Sequence, residues 1–336
     1  MTQIQTGSTV PLPTPPAQAP SRRAGGSARV VAALPLLVLV ALTLVITVQQ
    51  PTFLSLPSLR GLLESMTPIL LLALGQTFVI LTGGIDLSFA ATASFGTVLL
   101  ALWIPDLGVL AVVAVLAATA LIGLVNGLVI AKAQIPSFIA TLGALGLYSG
   151  LGLAVSGAST IRISTGYDAI GWITDLRVAQ LPLAAVLVIG LAAVISLAMR
   201  TLAHGRDFHA TGLAEQALLM SGGSTTTVRV LAFTLCSFFA GLAAVVLAAS
   251  QHSGGPTLAD TLQLPAIAAV VIGGTAITGG VGGALRTLVG ALIIVVLRVG
   301  LSVIGVDPSY EQIFYGAVIV AAVVLTIDRS RLQVVK

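Results

Sequence analysis

Few residues of this chain could do chemistry. A phosphate-cradling loop needs G-x-x-x-x-G-K-[ST], because backbone amides hold the phosphates and the lysine neutralises them. The lysines are Lys132 and Lys336, and neither sits in that context. ATP hydrolysis is therefore not expected of this chain, and neither is a cofactor of its own. His204, His209 and His252 do not make a metal set, since the topology derived below puts His252 across the bilayer from the other two. No nucleophile, base and acid can be assembled either. Carriers driven by protons or sodium place several ionisable groups at the bilayer midplane, at a cost of roughly 2.5–3.5 kcal/mol each. Here the candidates within spans are Asp86, at a Gly-Gly break, and Arg298, so a relay of carboxylates is missing. Glu64, four residues after Arg60, reads as half of a local ion pair.

Polar groups concentrate at Gly83-Gly84-Ile85-Asp86-Leu87-Ser88. Paired glycines should interrupt a helix, freeing amides and carbonyls that lipid cannot bond, so these must face protein or a watery path. Asp86 and Ser88 offer acceptors and a donor beside that break. Two readings stand: a polar element on a translocation path, or an Asp86 cap for the next helix with Ser88 bonding nearby backbone. Asn126 reads either as a hydrogen bonder between helices or as a ligand group. Ser137 and Phe138, after Pro136, either begin a helix or line a path. Gly83, Gly84, Asp86, Ser88, Asn126, Ser137 and Phe138 are the path candidates.

The elements that must carry these residues are membrane helices. The chain is 57% hydrophobic and 8% charged, against about a quarter charged in a soluble domain. Its net charge of +4 comes from basic residues scattered singly between apolar runs, which does not suit a nucleic acid. Apolar runs at about 31–48, 61–82, 86–103, 107–130, 136–155, 179–199, 230–249, 264–278, 283–304 and 312–327 predict an all-α protein of about ten spans. Residues 1–29, rich in Pro, Ser and Gly, read as a disordered cytoplasmic tail before a permease domain over 30–330. With the N-terminus inside, alternating spans put eleven Lys and Arg on the cytoplasmic side against Arg60, Arg162 and Arg177 outside. Both termini are then cytoplasmic. Two connections are long enough to be structured: 156–180 outside and 201–229 inside. Gly83-Gly84 through Leu102 also aligns without gaps on Gly273-Gly274 through Leu292, a weak signal of an internal repeat.

The stretch from Gly75 to Ser88 resembles the signature of ribose-type ABC permeases. The resemblance continues through Ile135-Pro136-Ser137-Phe138-Ile139-Ala140-Thr141-Leu142-Gly143, Gly205-Arg206, Ile267 to Thr275 and Gly279-Gly280, covering about residues 60–327. It implies the path-forming subunit of a sugar importer in the bacterial cytoplasmic membrane. Its implied partners are a second permease chain, an ATPase subunit that uses the ATP, and an extracytoplasmic sugar-binding protein. The segment containing Gly205, Arg206, Gly212, Glu215, Ala217 and Gly222 resembles the family's coupling element, which docks in a groove of the ATPase. A short helix from Glu215 onward would offer that partner a charge and small residues.

The chain departs from the pattern at several points. Leu213-Ala214 stands for Gly-Asn, Gln216 for Ala, Leu218 for a frequent Arg and Gly223 for a common Ile. Gln263 and Pro265 replace Glu and Asp, and Arg286 replaces a packing Gly. Permeases for nucleosides or branched-chain amino acids are the nearby alternative, and an autonomous carrier is the distant one.

The charge bias makes a direct prediction. Cysteines placed at Ser159 or Thr174 should react with an impermeant thiol reagent from outside intact cells, and one at Ser221 only after the membrane is opened. Labelling of Ser221→Cys from outside would overturn this topology.

Overall fold

The computed structural model describes residues 27–326. The tail expected at 1–29 lies outside them except for Ser27–Arg29, which open the first helix. Contacts divide the chain into a unit Met1–Leu34 and a body Pro35–Lys336. The first helix is α1 (Ser27–Gln49). There follow α2 (Leu56–Leu81), α3 (Phe89–Leu107), α4 (Val109–Ala133) and α5 (Ser137–Ser156). Then come the short α6 (Asp168–Asp175), α7 (Leu183–Thr201), α8 (Ala203–Leu213), α9 (Glu215–Met220) and α10 (Thr225–Gln251). The last three are α11 (Gln263–Ile272), α12 (Ala284–Val303) and α13 (Glu311–Thr326). Among the described residues, extended structure is confined to two-residue pairings, Ile161–Arg162 with Ser253–Gly254 and Arg177–Val178 with Leu181–Pro182. The fold is all-α.

Seven of these helices, α2, α3, α4, α5, α7, α10 and α12, are long and apolar enough to cross a membrane. Each of the ten apolar runs coincides with a helix, but the run at 264–278 differs from expectation. Its helix, α11, has ten residues, about 15 Å at 1.5 Å per residue, or half the hydrocarbon thickness. The expected start at Asp86 also moves, to Phe89. α11 is short because its glycines end the hydrogen-bond ladder where hydropathy alone runs on, and α3 starts late because Asp86 first bonds the Ser88 amide.

α2 and α10 form the centre. α2 is buried continuously from Met66 to Leu81, and α10 packs against α2, α3 and α4. In lipid no hydrophobic force drives helices together, so close backbone approach must do so. Gly123 and Gly127 of α4, spaced as G-x-x-x-G, lie against the α10 backbone at Phe233 and Val230. Gly75 of α2 meets α10 at Cys236, and Gly96 of α3 meets its Ala244. α4, α5 and α7 bury much less of their length and present aliphatic faces outward, as membrane helices facing lipid or a second chain must.

Two ion pairs join the described residues, Arg298 with Glu311 and Arg229 with Glu215. Arg298, within α12, pairs with Glu311 of α13 at 3.3 Å, and Glu311 also accepts from the Tyr315 hydroxyl. Arg60 does not pair with Glu64. Its guanidinium reaches across 120 residues to donate to the Gln180 carbonyl at 2.6 Å and to the Gln180 side chain at 2.8 Å.

Helix approach gives a paired test. A methyl group at Gly123 would lie 2.7 Å from Ser237 Cβ and 2.8 Å from Thr234 Cα, so Gly123→Ala should destabilise the purified chain by about 1–3 kcal/mol. Gly146→Ala on α5 meets nothing within 4 Å and should leave the thermal midpoint unchanged or raised. Equal midpoints for the two variants would refute this packing.

Candidate functional site

Two helices stop at glycine in the same way. After α2 the Gly83 amide bonds back to Ile80 O and the Gly84 amide to Val79 O. After α11 the Gly274 amide bonds to Val271 O and the Thr275 amide to Val270 O. Gly83 and Gly274 have φ of 76° and 93°. This is the Schellman stop, which needs a left-handed residue just past the helix and is cheapest with glycine. The structural equivalence therefore pairs Gly83 with Gly274, one residue off the ungapped alignment of Gly83-Gly84 with Gly273-Gly274. The second break is also longer, reaching Gly283 before α12 begins.

Past Gly84 the backbone is extended, and side chains of other helices take over its hydrogen bonds. Ile85 N–H donates to Ser137 Oγ and Leu87 N–H to Thr141 Oγ1, each at 3.0 Å. Thr141 Oγ1 donates to the Ser137 carbonyl at 2.8 Å and lies 3.3 Å from the Ile85 carbonyl, and Gln263 Nε2 donates to the Leu87 carbonyl at 3.1 Å. Ser137 is thus a brace from the first turn of α5 to the break. Thr141 and Gln263 share this task. Thr141 was legible as a hydroxyl one turn beyond Ser137, and Gln263 as the polar residue opening α11.

A buried chain of donors runs from the break into α4 and α5. Tyr148 OH donates to Asn126 Oδ1 at 3.1 Å, and Asn126 Nδ2 donates to Ser88 Oγ at 3.1 Å. Ser88 Oγ and Ser88 N–H both donate to Asp86 Oδ1 at 2.7 Å. Every link points toward the carboxylate, so each bond polarises the next. Asp86 and Ser88 are fully buried. Of the two sequence readings for Asp86, the local one describes its geometry, with a change of position. Ser88, not Asp86, occupies the N-cap of α3, and Asp86 holds it through an Asx turn. Asn126 is a hydrogen bonder between helices. Of the path candidates, Gly83 and Phe138 are exposed, the Phe138 side chain by 53% on α5, and Gly84 and Ser137 are half-buried.

A second stretch of non-helical backbone descends beside α3. Thr97 Oγ1 donates to the Gly255 carbonyl and accepts from the Gly255 amide. Ser94 Oγ accepts from Ala259 N–H and donates to Asp260 Oδ1 at 2.9 Å. The segment passes Thr97, then Ser94, and reaches Leu87 with Gln263. The two hydroxyls, three residues apart on one helix face, hydrogen-bond backbone that has no water to bond. Sequence reasoning missed Ser94, Thr97 and Asp260, and the i, i+3 hydroxyl spacing was the available signal.

The coupling candidates lie on α8 and α9, between α7 and α10. Gly205 packs on the Met199 backbone, Arg206 is exposed, and Gly212 is wedged against Leu81 O and Gly279-Gly280. Ala217 is exposed on α9, and Gly222, with φ of 83°, follows its C-terminus. Glu215 begins α9 as expected, but its charge is not simply offered outward. It pairs with Arg229 of α10 at 2.9 Å. What α9 displays instead is apolar: Leu219 is 52% and Met220 91% exposed.

Residues 58–323 match the family described as branched-chain amino acid transport system / permease component. The chain belongs to this permease family. Over 303 residues it is 35% identical to the ribose import permease protein of Bacillus subtilis, covering 88% of this chain and 92% of that protein. It is 34% identical to the ribose import permease protein of Escherichia coli K12, covering 86% and 92%. It is 32% identical to the autoinducer 2 import system permease protein of Salmonella typhi, covering 86% and 83%. No solved structure matches significantly. With seven helices of spanning length and this family, the chain is a multi-pass membrane protein of the ABC permease type.

The Asp86 chain predicts a graded result. Asp86→Ala leaves the Ser88 N–H and hydroxyl without their acceptor and should cost about 1–3 kcal/mol of stability, whereas Asp86→Asn keeps an Oδ1 acceptor and should retain most of it. Thr141→Val, which strips Leu87 N–H of its partner, should behave like the alanine variant. Thermal midpoints of the purified chain decide this, and identical midpoints for Asp86→Ala and wild type would remove the network from the stability of the break.

Proposed function

We propose that the chain is the path-forming subunit of an ATP-binding-cassette importer for a sugar of the ribose type. Relatives named for ribose and for autoinducer 2 import support the substrate class. The chain has no nucleotide-binding loop of its own, so a separate ATPase subunit must supply the energy. An extracytoplasmic binding protein delivers the sugar, a second permease chain completes the path, and both termini lie in the cytoplasm.

The observation that carries this reading is the α8–α9 segment. It leaves the bundle between two spanning helices and ends on exposed aliphatic side chains at Leu219 and Met220. Exposed apolar groups of this size, set among polar neighbours such as Gln216 and Ser221, suit insertion into a groove on a partner. In motion, the ATPase would push on α9 and α8, and the broken helices would rearrange while the spanning helices stay intact. Gly83, Gly84, Asp86, Ser88, Asn126, Ser137 and Phe138 remain the path residues of this proposal, with the buried ones acting as braces in the conformation described.

The family description itself favours one second reading, transport of branched-chain amino acids. The two separate by measuring ATP hydrolysis of the assembled transporter with binding protein loaded with D-ribose or with leucine.

For docking, Met220→Glu and Leu219→Glu should each weaken capture of the ATPase subunit by about tenfold or more, since buried anchors at interfaces are worth about 2 kcal/mol or above. Binding-protein capture on the opposite face should be unchanged. Undiminished co-purification of the ATPase with the double variant would refute docking through α9.

A further inference from the structure

The end of α8 is packed into the break between α2 and α3 and into the loop before α12, and the contact is made of glycines. A side chain at Gly212 would collide with the Leu81 carbonyl oxygen and the Gly280 nitrogen, and would come within 2.7 Å of the Gly279 carbonyl carbon. A side chain at Gly279 would lie 2.8 Å from the Gly83 nitrogen and 3.0 Å from Gly212 Cα. Three backbones from distant parts of the sequence thus meet at van der Waals distance with no side chain between them. Two hydrogen bonds fix the meeting. Gly280 N–H donates to the Leu81 carbonyl at 2.8 Å, and the His209 Nδ1 hydrogen bonds to the Gly280 carbonyl at 3.0 Å. One turn away Phe208 is buried, its ring 5.3 Å from that of Phe78 on α2. On another flank of His209 lies a cavity of ≈ 130 Å³, lined by Met199, Arg200 and the first residues of α12.

We propose that Gly212 and His209 are positioning residues of transport: they join the coupling segment to both glycine breaks, so that a displacement of α8 carries Gly83 and the Gly279-Gly280 loop with it. The proposal rests on the reading of α8–α9 as the ATPase-docking element. Its physical basis is the difference between two kinds of contact. Side chains that touch across a gap can change rotamer and absorb a displacement, whereas backbones in direct contact and hydrogen-bonded to one another cannot. The donor on His209 carries the linkage from α8 to the Gly280 carbonyl, and the Gly280 amide carries it on to the last turn of α2. Gly212 sets the separation at which both bonds can form.

The test uses the permease assembled with its ATPase subunit and needs no substrate. Ile85, half-buried in the first break, is replaced by Cys, and its rate of modification by a methanethiosulfonate reagent is measured in the resting complex and after trapping with ATP and vanadate. With wild-type residues at 209 and 212 the rate should change severalfold on trapping. His209→Leu should abolish that change while the ATPase still co-purifies and still hydrolyses ATP, and His209→Gln, which can donate to Gly280 O, should restore it; Gly212→Ala, read on the labelling rate alone, should abolish the change as well. A change on trapping that persists in both variants overturns the proposal, as does its absence with the wild-type residues. Loss of hydrolysis and thermal midpoint in step with the labelling change assigns the contact to folding alone and also overturns it. Failure of the wild-type chain to capture any ATPase is a different result, and removes the docking reading instead.

Discussion

A backbone amide that leaves a helix inside a bilayer has no water to bond, and this chain leaves its helices there more than once. The departures are answered by hydroxyls and a side-chain amide from other helices, by the Asp86 carboxylate beside the first break, and by backbone carbonyls such as Leu81 O at the second. Ser137 and Thr141 take up the donors after Gly84, Gln263 bonds the Leu87 carbonyl, and Ser94 with Thr97 bond the segment entering α11. An unbonded amide in hydrocarbon costs several kcal/mol. The positions of α5, α3 and α11 around the breaks follow from that cost, and the remaining helices pack around them.

The bonding is strong where the chain must hold and sparse where it must move. The donor chain from Tyr148 to Asp86 is buried and directional, so the start of α3 is fixed to α4 and α5. The loop from Gly279 to Gly283 has glycines at four of five positions, each with positive φ. It is anchored at its Gly280 end by Leu81 and His209 and at its Gly283 end by Thr275. Between them the Val281 carbonyl accepts from Ala276 N–H of the same break, so the loop is tied to its neighbours at its two ends and can pass on a displacement without being torn from them. The coupling segment meets the molecule at one of those two points.

The substituted positions of the family pattern take on meaning in this light. Gln263, where the family often has Glu, is a donor to the Leu87 carbonyl, a bond that an ionised carboxylate could not make. Arg286, where the family has a packing glycine, sends its guanidinium back to the Gly274 carbonyl at 3.3 Å, bonding the end of α11. Nothing in the structure explains Pro265.

The sequence by itself determined the class of the molecule, because hydropathy and helix length are properties of consecutive residues. It placed the ten apolar runs, the glycine break before Asp86, the helix beginning at Glu215 and the membership of the permease family. It could not determine which partner a polar residue finds, since Ser137 and Ile85 are 52 residues apart and Ser94 and Ala259 are 165 apart. For the same reason Glu215 looked free in sequence and is tied to Arg229, and Arg60 looked tied to Glu64 and reaches Gln180. The half-length of α11 and the one-residue shift between the two breaks also required coordinates. Which of two adjacent glycines takes the left-handed conformation depends on the ladder that arrives at it, not on composition. The meeting of Gly83, Gly212 and Gly279 is the extreme case. Glycine carries no side chain to signal a contact, so tertiary packing alone decides which glycines touch.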